Sequence, residues 1–247
     1  IAHTRWATHG KPAQINAHPH MDNSGEFAVV HNGIIENYNE LREFLVSKGY
    51  SFLSQTDTEI IPNLIHYYYT NGINDDDKFL RAVKSAVDDL KGSYALEIIS
   101  NLHPDRVIVV RKDSPLVLGK GNGENFIASD IPAVLKYTKE FYLLDDQEYA
   151  VVYKDHIDFY DNCPVNDEEH KSIHIDYDSD TGTGKITDTT SGKSESTDVK
   201  CFLTTACMRH FQENFDDDCY ELRVLRWFRD NFVSQQDIRH YYKIAPY

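Results

Sequence analysis

Residues 26–49 read EFAVVHNGIIENYNELREFLVSKG, and the change of rhythm inside that stretch decides the fold class. In its first part Phe27, Val29 and Val30 run up to the polar triplet His31-Asn32-Gly33, which predicts a strand ending in a polar turn. From Asn37 the period lengthens. Leu41, Phe44 and Leu45 share one helical face, Asn37 stands where a cap belongs, and Gly49 is the expected stop.

Working outward, a second helix is expected over TDTEIIPNLIHYYYTNG, entered from Thr56 or Asp57, with Pro62 tolerable only near its first turn. A third is expected over DKFLRAVKSAVDDLKG, where Phe79, Leu80, Val83, Val87 and Leu90 recur at helical spacing. Short strands follow at SYALEIIS, RVIVVRKD, PLVLGKG and NFIASD, then a short helix near IPAVLKYT, then strands at FYLLDD, YAVVYKD and IDFYD. Turns this short favour antiparallel pairing, because parallel neighbours need a crossover. Helices first and strands later predict a layered α+β domain over residues 1–160.

Between Asp178 and Asp198 the only apolar residue is Ile186, so residues 161–199 read as an acidic Ser/Thr/Gly-rich linker. Residues 200–247 are apolar again, with Val224, Leu225, Phe228 and Phe232 in one stripe, and predict a small helical Cys-containing module. The chain has 247 residues and a formal net charge of −15, which argues against nucleic acid and against an anionic membrane surface. No apolar run approaches the roughly 18 to 20 residues of a spanning helix. All four cysteines (Cys163, Cys201, Cys207, Cys219) lie in the last third, so nothing staples the larger part, which suits a reducing cytoplasm. Cys201 and Cys207 are too far apart for a Cys-x-x-Cys metal pair, and packing is the favoured role for the tail cysteines. Ile1 is not a natural start, so the chain is expected to be a piece of a longer protein.

The polar residues of the first sixty positions form one constellation. Arg5 offers a planar fork that grips a carboxylate, with Thr8 and His9 beside it, and Asp57 offers an acceptor for an ammonium. Together they would hold the α-carboxylate and α-amine of a free amino acid. Asn32 and the Gly33 backbone N–H would supply two donors to an oxyanion. By spacing alone the plainer reading leads: a lone Arg or Asp is more often a solvated or capping residue, and Asp57 alone could be only an N-cap. His3, His18, His20 and His31 suggest a metal by count, but their spacing matches no standard zinc pattern, and they read as structural residues or as supports behind the site. Gly119, Gly121 and Gly123 lie close to a nucleotide-loop spacing without the helix that would follow one, so no phosphate is assigned.

Three stretches, IAHTRWATHGKPAQINAHPH, VVHNGIIENYNELREFLVSKGYSFLSQTDTE and SPLVLGKGNGENFIASD, resemble the class II glutamine amidotransferase (glutaminase) domain of the glucosamine-6-phosphate synthases, the isomerizing glutamine–fructose-6-phosphate aminotransferases. The resemblance implies an αββα sandwich of antiparallel sheets of the N-terminal-nucleophile amidohydrolase type. It implies that Arg5, assisted by Thr8 and His9, binds the glutamine α-carboxylate and that Asp57 binds the α-amine. Asn32 and Gly33 would form the oxyanion hole, and Trp6 would gate the ammonia path. No metal and no cofactor is implied. Expected partners are L-glutamine and, through an isomerase domain, fructose 6-phosphate; a homodimer is admitted.

The family's nucleophile is the cysteine that opens the mature chain, several tens of residues upstream of Ile1, so the chain as it stands is not expected to hydrolyse glutamine. Two isomerase domains should follow the glutaminase; instead the linker leads to a tail that resembles a Cys-Phe-Ile-box C-terminal domain. That departure keeps a second reading open, a non-catalytic glutamine sensor or interaction module with a Cys-rich output tail.

Overall fold

The structure is a computed structural model, and residues 1–3, 13–160, 172–178 and 183–198 are described. Among the described residues, two six-stranded antiparallel sheets carry the fold. The first has the order β1-β2-β3-β4-β8-β9, from β1 (His20–Met21), β2 (Phe27–Ile35), β3 (Gly92–Ser100), β4 (His103–Lys112), β8 (Tyr149–Tyr153) and β9 (Ile157–Tyr160). The second has the order β12-β11-β10-β7-β5-β6, from β5 (Val117–Lys120), β6 (Asn125–Ala128), β7 (Glu140–Leu143), β10 (Ser172–Asp178), β11 (Thr183–Asp188) and β12 (Ser194–Asp198). Three helices among the described residues, α1 (Tyr38–Ser47), α2 (Ile60–Asn71) and α3 (Lys78–Asp88), cover one face of the first sheet.

The period-2 rule explains the layers, since alternate residues of each strand feed different cores. Phe27, Val29, Leu96, Ile98, Ile108 and Val110 pack with Leu45, Leu64 and Val83 of the helices. Ala95, Val109, Ala150 and Val152 point the other way and meet Leu116, Leu118 and Leu144 between the sheets. The outer face of the second sheet is closed by Ile131, Val134 and Leu135 over Val117, Phe141 and Ile173. The expected αββα sandwich is therefore present, with the 3-10 turn Ile131–Ala133 as its thin fourth layer among the described residues.

Three local expectations change. The His31-Asn32-Gly33 triplet is not a turn: β2 continues to Ile35, with Gly33 opposite Tyr94 and Ile35 opposite Gly92. Gly33 makes that continuation possible. Its φ is +131°, and a Cβ there would lie 2.1 Å from the Ser93 carbonyl oxygen, so no other residue fits. Asn37 precedes α1 but makes no cap bond; its amide donates to the Asp89 carbonyl (2.8 Å) and accepts from the Lys91 N–H (2.9 Å), tying α1 to the entrance of β3. Helix α2 is preceded by Glu59 rather than Thr56 or Asp57, and Pro62 falls in its first turn as expected.

The expected linker 161–199 contributes strands. β10 pairs with β7, and Ile173 and Ile175 are buried in the outer core. β11 and β12 follow as Thr- and Ser-rich hairpin partners, joined by a turn in which the Asp188 carboxylate accepts from the N–H groups of Thr190 (2.8 Å) and Ser191 (3.0 Å). Backbone pairing needs no apolar side chains, so low hydropathy did not preclude a sheet edge. The expected C-terminal module, 200–247, and the four cysteines lie outside the described residues.

Candidate active site at the edge of β2

β1 covers only the start of β2, pairing with Ala28 and Val29, so among the described residues the edge of β2 from Val30 onward is not in the β-ladder. Asn32, Gly33 and Asp57 converge on that edge. The Ile35 N–H donates to Asp57 Oδ2 at 2.8 Å, which shows that this N–H points away from β3. N–H groups two residues apart on an antiparallel strand point the same way, so the Gly33 N–H faces the same edge. Asn32 lies opposite Ala95, a residue of the core between the sheets, and the Asn32 side chain therefore faces the gap between the sheets.

Asp57 is buried, 3% exposed, at the turn that enters α2. One carboxylate oxygen holds the end of β2; Oδ1 makes no hydrogen bond among the described residues. The turn itself is held by polar side chains. Glu59 accepts from the N–H groups of Leu53 (2.9 Å) and Ser54 (2.7 Å), Asn16 accepts from the Gln55 N–H (2.9 Å), and Thr56 bonds His20 Nε2 (3.0 Å). Buried polar groups are tolerated only when paired, so this loop is fixed by hydrogen bonds where the rest of the helical face is fixed by packing.

The four histidines of the region are not a metal cluster in the described residues; three of them form a hydrogen-bonded chain. His3 Nε2 bonds the Asn32 side-chain oxygen, and His3 Nδ1 lies 2.8 Å from His18 Nδ1. His18 Nε2 and His31 Nδ1 each lie 3.0 Å from the Thr58 hydroxyl. His31 is on the helix-facing side of β2, so the chain wraps the edge of the strand from one face to the other. Burial pushes the His31 pKa down to about 4 against the attraction of Asp57, which keeps the ring neutral. On the gap face, Glu97 stands opposite Val30, and burial pushes its carboxyl up to about 7.

Of the residues singled out in the sequence, Asn32, Gly33 and Asp57 come together. Arg5, Trp6, Thr8 and His9 lie outside the described residues. Thr58 was missed. A threonine at a helix entrance reads as a capping group, and only the approach of two histidines from positions 18 and 31 reveals it as a bridge. The glycines 119, 121 and 123 flank the β5–β6 hairpin and form a strand connection.

The sequence profile described as glutamine amidotransferase domain matches residues 3–136. Among curated relatives, the isomerizing glutamine–fructose-6-phosphate aminotransferase of Caldanaerobacter subterraneus subsp. tengcongensis is 52% identical over 161 residues, 65% of this chain and 26% of the relative. That of Clostridium perfringens is 51% identical over 180 residues, 73% of this chain and 28% of the relative. The chain thus spans about a quarter of the length of these relatives. Among solved structures, the glutamine phosphoribosylpyrophosphate amidotransferase from B. subtilis superposes with a TM-score of 0.52 at 24% identity, covering 64% of this chain and 34% of that one, a likeness of fold. On its sequence match, and in agreement with its two-sheet architecture, the chain belongs to the glutamine amidotransferase domain family.

Proposed function

We propose that the edge of β2 beyond its pairing with β1 is a glutamine pocket, and that in its parent protein this domain releases ammonia from glutamine for the formation of glucosamine 6-phosphate from fructose 6-phosphate. The observation that carries the reading is the convergence of Asn32, the Gly33 N–H and a buried carboxylate on one strand edge. Asp57 presents a fixed negative charge for the α-amine. The Asn32 amide and the Gly33 N–H are two preorganised donors for the oxyanion that develops when the side-chain amide is attacked, and such donors act before charge appears, without reorganisation. Arg5, with Thr8 and His9, would take the α-carboxylate, Trp6 would close the ammonia path, and a cysteine at the mature N-terminus would be the nucleophile, with its own amine as base.

The curated relatives, which are isomerizing glutamine–fructose-6-phosphate aminotransferases, support the acceptor. The amidotransferase unit is taken to include β10–β12, with residues 200–247 as a separate module. The reaction is tested with the protein purified from its native source, by following ammonia release from L-glutamine. Asn32→Ala is expected to lower kcat by about 100-fold or more with little change in KM, because its donor acts on the oxyanion. Equal kcat in both proteins would refute the oxyanion assignment.

A further inference from the structure

We propose that His3, His18, Thr58 and His31 form a chain of hydrogen bonds with one proton direction, and that this direction fixes which end of the Asn32 amide faces the substrate. The inference rests on the reading of Asn32 as an oxyanion donor. An amide that is free to turn over would present its oxygen to the developing oxyanion in one of its two orientations, which is repulsive. The structure holds the Asn32 oxygen against His3, which leaves the NH2 group for the substrate side.

Each neutral imidazole has one N–H and one bare nitrogen, so the order propagates without choice. Asn32 Oδ1 is an acceptor, so His3 must carry its proton on Nε2 and leave Nδ1 bare. His18 then donates from Nδ1, at 2.8 Å, and its Nε2 is bare. The Thr58 hydroxyl gives its single proton to His18 Nε2, at 3.0 Å, and its oxygen accepts from His31 Nδ1–H, also at 3.0 Å. His31 therefore ends the chain with a bare Nε2. That atom is buried and has no hydrogen-bond partner among the described residues.

The competing order has an identifiable anchor. The Ser93 carbonyl favours a proton on the His31 ring, and a proton on Nε2 directed at it would reverse every link and turn the Asn32 oxygen outward. The two ends of the chain thus contend for one direction, and Asn32 is set by the result. His3, His18, Thr58 and His31 are positioning residues: none needs to touch glutamine.

Long-range proton–nitrogen NMR of the histidine side chains tests this on the chain without ligand, in alkaline buffer where the imidazoles are neutral. The expected pattern is a proton on Nε2 of His3, on Nδ1 of His18 and on Nδ1 of His31. The opposite pattern, or an average of the two, overturns the proposal. Thr58→Ser should keep the wild-type pattern, whereas Thr58→Val should release His31 to protonate Nε2; an unchanged His31 in Thr58→Val would also overturn it. Glutamine addition separates the two claims. Binding with a reversed or averaged order refutes the chain, whereas the expected order without any binding refutes the glutamine pocket.

Discussion

Two ends of one strand show two ways of filling an interior. Phe27 and Val29, at the start of β2, are fully buried among apolar residues of the helices and of β3. His31, two residues on and on the same face, is almost equally enclosed, but it meets a threonine hydroxyl and a carboxylate field, and its Nε2 has no hydrogen-bond partner among the described residues. The first end contributes to folding by removing apolar area from water. The second costs desolvation that its hydrogen bonds only offset. The polar end is thus held by hydrogen bonds where the other end is held by packing.

The apolar end should give the largest stability effect. Phe27→Ala is expected to lower unfolding free energy by about 3–5 kcal/mol, read by urea denaturation, because it leaves a cavity under Tyr69 and Phe79. A loss below about 1 kcal/mol would break the comparison, since it would mean that this end is not held by packing.

The polar end should reveal itself through pH. The His31 pKa is 6.5 when unfolded and about 4 when folded. Below 6.5 the unfolded chain takes up a proton that the native ring refuses, so stability falls as pH drops from 6.5 to 4, by up to about 3 kcal/mol. His31→Asn keeps a donor toward Thr58 and removes the titration, so this part of the acid slope should vanish in that variant; an unchanged slope would assign it elsewhere. On the gap face the sign is opposite. The Glu97 carboxyl moves from 4.5 to about 7 on folding, so its charge costs stability increasingly from 4.5 upward and fully above 7. Glu97→Gln is expected to gain about 1–2 kcal/mol above pH 7, less than the full shift because the side chain is only partly buried, and nothing below 4.5.

Much of this was legible in the chain. The helices over Leu41–Leu45 and Phe79–Val87 and the strands from SYALEIIS to IDFYD follow from period and punctuation, because their apolar faces are regular. The triplet His31-Asn32-Gly33 was not readable as strand, since a polar run with glycine has the composition of a turn; only the close approach of the Ser93 carbonyl explains the glycine. β10–β12 were hidden for the converse reason: edge strands built of Ser, Thr and Asp look like linker, although Asp188 and Gly192, with a φ of +69°, are a hairpin signal. Thr58 could not be found from its neighbours, because its partners are 40 and 27 residues away.

The most direct test of the pocket is calorimetric titration of the protein with L-glutamine, compared between wild type and Asp57→Asn. The variant keeps an oxygen for the Ile35 N–H and removes only the charge. Saturable binding is expected, weakened about 10- to 100-fold by Asp57→Asn, the value of a charge-assisted hydrogen bond. Binding of equal strength in both proteins, or none in a folded wild type, would contradict the glutamine pocket.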